Sequence, residues 1–293
     1  MKFFDTAIIG AGPAGIAAAI QLQRFGISTV IFEKDKIGGL LRNANLVENY
    51  LGFPSGITGK QLTRLMEKHL NSVNSIVHNE TVEDVEYINS KFVIKTSRSY
   101  LSKTLIIATG TDAKPSSVSG FDPSTEPMII TEVHQIEDCE NRRIAVIGAG
   151  DAAFDYALNL ARKNWVTINN RSSRRLCLPL LWTRVGDKVN IEYRENCTIQ
   201  STKLKNDQLQ LNWNRDGVEF NEIVDYLVLA IGRKPNLSFI SKDLSLKISD
   251  LEEKGLLHFI GDVRNGIFRQ ASIAAGQGIH AAMALHLTLN RKG

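Results

Sequence analysis

Thr6-Ala7-Ile8-Ile9-Gly10-Ala11-Gly12-Pro13-Ala14-Gly15, followed by an alanine-rich segment, is the stretch from which the fold can be read. An apolar run of strand character enters a G-x-G-x-x-G turn, and the turn opens a helix. Each small residue has its own reason. The first glycine permits the tight turn, the second lets a pyrophosphate approach the backbone, and the third lets helix and strand pack closely. Free N–H groups at the helix start attract phosphate. Such a turn alone is a weak signal. Set between a strand and a helix, with another strand at the right distance, it marks a dinucleotide site. Here the helix ends near Phe25-Gly26, and a second strand, Ser28-Thr29-Val30-Ile31-Phe32, leads to Glu33, 23 residues after Gly10.

The same plan occurs a second time. The strand Arg143-Ile144-Ala145-Val146-Ile147 enters the turn Gly148-Ala149-Gly150-Asp151-Ala152-Ala153. A helix runs through Leu160 to about Lys163, and the strand Trp165-Val166-Thr167-Ile168-Asn169 follows, with Arg171 again 23 residues after the first glycine. Each half closes on a run apolar at every position, Leu105 to Gly110 and Leu227 to Gly232, as suits a strand buried on both faces. Gln61 to Leu70 reads as an amphipathic helix, residues 82–106 as short strands, and residues 190–230 as a repeat of that second pattern. The segment 111–127, with three prolines among serines and glycines, reads as a connector. The expected fold is therefore α/β, with two Rossmann-like domains.

Composition narrows the function classes. The chain has 293 residues, 43% hydrophobic and 23% charged, with a net charge of +4. That is ordinary globular composition, and length alone favours two domains. The basic residues are scattered, without the basic tail or aromatic-basic alternation of a nucleic-acid binder. No apolar run reaches the ~20 residues of a membrane span. A strand begins at Lys2, so neither a signal peptide nor a membrane partner is expected, and a cytoplasmic protein is. The three cysteines, Cys139, Cys177 and Cys197, form no Cys-x-x-Cys pair. Neither a disulfide framework nor a metal site is predicted.

In order along the chain, Gly10 to Gly15, Glu33, Gly38-Gly39, Val47-Glu48-Asn49-Tyr50, Ala108-Thr109-Gly110, the second turn, Gly261-Asp262 and Phe268-Arg269-Gln270-Ala271 resemble the low-molecular-weight thioredoxin reductases. The segment from Gly148 to Leu158 is also similar to the thioredoxin-reductase-type ferredoxin–NADP reductases. The resemblance spans essentially the whole chain. It implies an FAD domain of three-layer ββα type built from about 1–112 and 240–293, a nicotinamide domain inserted at about 113–239, and a homodimer. FAD would lie on Gly10, Gly12, Pro13, Ala14 and Gly15, with Glu33 on the adenosine ribose and Asp262 on the ribityl chain. Lys34, Gly39, Leu40, Asn49, Thr109, Gly110, Gly261 and Arg269 would complete the site. Peptide N–H groups near Gln270 and Ala271, at a helix start, would face the flavin pyrimidine edge and favour the negative charge of the reduced ring.

The second unit would take the nicotinamide dinucleotide on Gly148, Gly150, Asp151, Ala152 and Gly232. At the end of its second strand the chain reads Asn170-Arg171-Ser172-Ser173-Arg174-Arg175. An acid there would favour NADH, whereas arginine receives a 2′-phosphate through parallel N–H donors. With Asn170, Arg171 and Arg175 in place, NADPH is expected over NADH. The family carries a redox-active Cys-x-x-Cys ahead of this turn. Here the corresponding residues are Thr131-Glu132-Val133-His134, so the usual dithiol relay is absent. His134 is the one candidate proton donor. The expected activity is hydride transfer from NADPH to FAD and onward to an acceptor, which is cofactor chemistry that the protein positions. A ferredoxin or flavodoxin reductase, a reductase of small disulfides or quinones, and a nucleotide-binding redox sensor without turnover are the alternatives. The ferredoxin reductases extend past the last helix with an aromatic residue over the flavin, which this sequence does not show before Gly293.

Overall fold

The fully apolar strands gather at the parallel centres of two sheets. In the computed structural model, which describes residues 1–114 and 120–290, the chain opens with β1 (Lys2–Ile9), α1 (Pro13–Arg24), β2 (Thr29–Phe32), α2 (Gly59–Ser72) and β3 (Ile76–His78). The hairpin of β4 (Asp84–Ile88) and β5 (Lys91–Lys95) leads to β6 (Ser99–Ile107). The order is β3-β2-β1-β6-β5-β4. Strand β6 pairs with β1 along one edge and serves two neighbours in turn along the other. Its first half pairs antiparallel with β5, as in Phe92 with Ser102, and its second half pairs parallel with a late strand through Leu105 to Ile107. Ile106 and Ile107 are fully buried, and so is Leu105, which accounts for the unbroken apolar run.

The middle of the chain holds β7 (Thr111–Ala113), β8 (Ile129–Ile130), β9 (Arg143–Ile147), α3 (Asp151–Leu160), β10 (Trp165–Asn169), α4 (Pro179–Gly186) and β11 (Ile191–Arg194). A meander of β12 (Cys197–Lys205), β13 (Gln208–Arg215) and β14 (Val218–Val224) precedes β15 (Tyr226–Leu229). The second parallel sheet runs β11-β10-β9-β15-β8, so β11-β10-β9-β15 repeats the topology of β3-β2-β1-β6. The meander is a separate three-stranded sheet, and β7 pairs with β16 (Arg233–Pro235) in a two-stranded one. The chain ends through α5 (Lys242–Ser245), α6 (Ile248–Glu253), β17 (Leu257–Phe259), which is the late partner of β6, and α7 (Ala271–Asn290). No helix among the described residues is long and apolar enough to cross a membrane.

Contacts divide the chain into two units. Unit 1 comprises residues 1–42, 47–112 and 234–293, and unit 2 comprises 43–46 and 113–233. The return to unit 1 thus comes at Lys234, and four residues, Asn43–Leu46, group with unit 2 though they interrupt unit 1. Of the connector read at 111–127, residues 115–119 lie outside the described residues, while 123–128 form a short 3-10 turn capped by Asp122, whose Oδ1 accepts from Ser124 N. Helix α4 was not foreseen.

Unit 1 packs α7 across α1, and glycine makes the crossing close. A Cβ on Gly278 would stand 2.2 Å from the carbonyl oxygen of Ala14 and 2.9 Å from the amide nitrogen of Ala18. Ala274, Ala281, Ala282 and Leu285 of α7 pack into the same core as Ala14, Ala18, Ala19 and Leu22 of α1. This crossing fixes α1, and with it the turn that α1 begins.

Candidate functional sites in the two units

In unit 1, Gly10 ends the β1 turn with φ +102°, and a Cβ there would lie 2.4 Å from the carbonyl oxygen of Ala108. A Cβ on Gly15 would lie 1.9 Å from the carbonyl oxygen of Gly10. Both glycines are demanded by the protein's own packing. Gly12 differs: its backbone is extended, and a Cβ there would meet nothing within 4 Å. Open space thus faces the turn where a pyrophosphate would sit. Thr58 caps α2 with its hydroxyl, whereas no side chain caps α1, whose first position is Pro13. The amides that begin α1 therefore keep their donors for an anion.

Neighbouring loops close round this turn. Glu33 is buried, with Oε2 accepting from Ala11 N at 2.7 Å and Oε1 from Asp35 N at 3.0 Å. Gly38 N donates to Ala11 O at 2.7 Å, and a Cβ on Gly39 would come within 3.3 Å of the Gly12 Cα. On the α7 side, Asn49 Nδ2 donates to Gln270 Oε1 at 2.7 Å and Ser272 Oγ to Asn49 O at 3.2 Å. Gly261, at φ +75°, packs on Ala14, with Asp262 next to it on a 3-10 turn. Arg269 Nε is buried without a hydrogen-bond partner among the described residues, an orphan donor beside the predicted flavin segment. Two expected contacts are otherwise engaged. The Thr109 hydroxyl donates to Asn236 O at 2.7 Å, and the Lys34 ammonium pairs with Asp112 at 3.3 Å.

Unit 2 repeats the arrangement. Gly148 approaches Ala230 as Gly10 approaches Ala108: its Cβ would stand 2.7 Å from the Ala230 carbonyl oxygen. Gly150, like Gly12, faces open space, and no side chain caps α3. The loop after β10 folds back onto the turn, as the loop after β2 does in unit 1. Leu176 N donates to Ala149 O at 2.9 Å, and Leu178 N donates to Asp151 Oδ1 at 2.7 Å. Asp151 thus pins the loop. Arg171, Arg174 and Arg175 are exposed and form no ion pair with a carboxylate among the described residues. Asn170 departs from expectation. It is 2% exposed, and its amide is occupied inside the loop, with Nδ2 donating to Arg174 O at 3.0 Å. A side chain so enclosed braces the loop.

Where a family dithiol would stand, the chain has a polar cluster. His134 Nδ1 lies 2.8 Å from Asn43 Oδ1, which also accepts from the His134 amide at 3.1 Å. Glu132 accepts from Asn43 Nδ2 at 2.5 Å and pairs with Arg233 at 2.8 Å. The Asn43 amide oxygen therefore fixes the His134 ring at Nδ1. Helix α3 grips the same segment, since Asp155 Oδ2 accepts from Asn45 N at 2.9 Å and Arg162 Nη2 donates to Asn45 O at 3.0 Å. Burial pushes the half-buried Asp155 carboxyl up to about 6, against the opposing pull of the Asn45 and Leu46 amides. A folded-state value above the unfolded one means that ionisation costs stability: stability falls as pH rises from about 4 to about 6 and is level above. One unit is about 1.4 kcal/mol, so with partial solvent screening the cost is ~1–2 kcal/mol. Relative to Asp155→Asn, which stays neutral, the native protein should lose about that much between pH 4 and 7.5 in urea melts. A pH-independent difference would show that the carboxyl titrates normally.

A family model described as pyridine nucleotide-disulphide oxidoreductase matches residues 4–278. The chain belongs to that family. By this membership it is an FAD-dependent NAD(P)H oxidoreductase. Thioredoxin reductase of Bacillus subtilis is 28% identical over 97% of this chain and 94% of its own. The solved thioredoxin reductase of T. acidophilum matches with TM-score 0.83 at 26% identity, covering 98% of this chain and 99% of that one. Lactococcus lactis thioredoxin reductase matches with TM-score 0.85 at 24% identity, over 98% and 99%, which supports the two-domain Rossmann-like fold. Within this family frame, sequence reading missed Gln277 and Gly278. Gln277 Oε1 accepts from Gly261 N at 2.7 Å, and its amide exchanges two hydrogen bonds with Asn265. The signal was present: two glycines, Gly276 and Gly278, inside an alanine-rich helix invite a packing explanation.

Proposed function

We propose that this oxidoreductase binds FAD at the first glycine turn and NADPH at the second, and passes reducing equivalents to an acceptor without an internal dithiol. The observation that carries the reading is the pair of open cradles at Gly12 and Gly150, each at an uncapped helix start. What lies beside each tells the two apart. Beside the first is the Glu33 carboxylate, suited to ribose hydroxyls; beside the second are three arginines without a carboxylate partner among the described residues, suited to a 2′-phosphate.

When bound, FAD would accept hydride from the reduced nicotinamide and pass electrons on. The chain's part is to hold and orient. Ala14 and Gly15 offer backbone donors to phosphate, Asn49 and Gln270 form a tied pair at the start of α7, and the Arg269 guanidinium gains a partner for its orphan Nε. Since the residues at 131–134 include no cysteine, the acceptor must draw electrons at the flavin itself. A small electron-transfer protein, a low-molecular-weight disulfide and a quinone are the acceptor classes to compare.

An anaerobic absorbance titration tests the reading. The purified protein should be yellow, and NADPH should bleach the flavin band at lower concentration than NADH. A colourless protein that also fails to take up FAD would overturn it. Ile279, Met283 and Leu287 form an exposed apolar stripe on α7 at helical spacing, which supports a homodimer through unit 1. Light scattering should then report twice the 32.5 kDa chain mass, and the single mass would refute the dimer. The three cysteines are free, which fits a reducing compartment such as the cytoplasm; recovery from an oxidising compartment on cell fractionation would refute that.

A further inference from the structure

The arginine loop of unit 2 rests on a rack of aromatic rings. Phe154 of α3 is fully buried, with the Tyr193 ring of β11 centred 5.7 Å away and the Trp182 ring of α4 at 6.0 Å. Trp182 and Tyr193 meet edge to face at 5.1 Å. The Arg175 guanidinium lies over the Trp182 indole, 4.2 Å from its centroid. A guanidinium stacked by its face keeps its in-plane N–H donors available. Those of Arg175 have no hydrogen-bond or ion-pair partner among the described residues.

Asn170 ties this rack to the loop backbone. Its Nδ2 donates to the Tyr193 hydroxyl at 3.0 Å and to Arg174 O at 3.0 Å, while its Oδ1 accepts from Ser172 N at 3.2 Å. One buried amide therefore sets the backbone on both sides of Ser173, between Arg171 and Arg175. Leu176, the next residue after Arg175, is bonded to the glycine turn itself.

We propose that Asn170 is a positioning residue for a 2′-phosphate receptor and that Trp182 is the platform presenting Arg175 to that phosphate. The proposal rests on the reading that this loop receives NADPH. Asn170 touches no ligand; it acts by holding the Arg171–Arg175 backbone, and the indole acts by removing the conformational freedom of one long side chain. Removing either should weaken recognition of the 2′-phosphate while leaving the rest of the nucleotide's contacts intact.

Calorimetry on the full-length protein with adenosine 2′,5′-bisphosphate and with adenosine 5′-monophosphate isolates that group, since the two ligands differ only by the 2′-phosphate. The native protein should favour the bisphosphate at least tenfold. Asn170→Ala and Trp182→Leu should each lower bisphosphate affinity about tenfold and change monophosphate affinity less than twofold. Tyr193→Phe, which removes only the hydroxyl, should shift the ratio about threefold in the same direction and guards against misfolding of the larger truncations. Equal weakening of both ligands, or an unchanged ratio in all three variants, would overturn the positioning role while the NADPH reading stands. A native protein that does not distinguish the two ligands would overturn the NADPH reading itself, and this proposal with it.

Discussion

Gly12→Val should yield a folded, colourless protein. The glycines of the first turn meet different surroundings. A side chain at Gly10 or Gly15 collides with backbone, 2.4 Å from Ala108 O or 1.9 Å from Gly10 O, so those variants should damage the fold. At Gly12 an added Cβ meets nothing within 4 Å, and φ −77° suits any residue. The protein alone therefore tolerates valine there, at a cost of about 1 kcal/mol for a poorer helix cap. The pyrophosphate does not, because the valine methyls occupy the volume it needs against the α1 amides. Flavin content should fall at least a hundredfold, with the far-ultraviolet circular dichroism of the native chain retained. Gly150→Val is the counterpart in unit 2. It should leave the protein yellow and stop reduction by NADPH. Retention of flavin by Gly12→Val would remove the central assignment, and a Gly150→Val protein bleached normally by NADPH would remove the second.

Gly278→Ala should destabilise unit 1 by about 3 kcal/mol or more, a large effect for one methyl group. Overpacking in a core typically costs 1–3 kcal/mol when side chains can shift aside. Here the obstruction is backbone: the carbonyl of Ala14 at 2.2 Å and the amide of Ala18 at 2.9 Å, both in α1. The helices must separate, and Ala14, Ala18 and Ala281 lose contact together. Thermal melts should drop by roughly 6–12 °C, at ~2–4 °C per kcal/mol for a chain of this size. Gly276→Ala supplies the control in the same helix. Its Cβ meets nothing within 4 Å, so replacing a helical glycine should stabilise by about 0.5–1 kcal/mol. If Gly278→Ala melts like Gly276→Ala, the close crossing of α1 and α7 is wrong.

These two experiments separate ligand glycines from packing glycines. The repeated turn, the apolar strands and the spacing to Glu33 and Arg171 were legible because each depends on neighbours a few residues away. Strands β9 and β10 fall where their apolar runs predict, and helix α2 extends its amphipathic segment by two residues at each end.

What distant residues supply was not legible. Asn170 looked like a ligand because it adjoins arginines; it is enclosed because Tyr193, 23 residues on, brings a hydroxyl to its amide. His134 read as a candidate proton donor, and Asn43, 91 residues earlier, meets its ring at Nδ1. Asn49 and Gln270 lie 221 residues apart and share a hydrogen bond. The sequence by itself determined the two glycine turns, because backbone sterics and helix-start amides act within one strand–turn–helix unit. The tertiary structure decided which polar side chains remain free for a ligand, because a hydrogen-bond donor is available only when no residue folded against it has taken it.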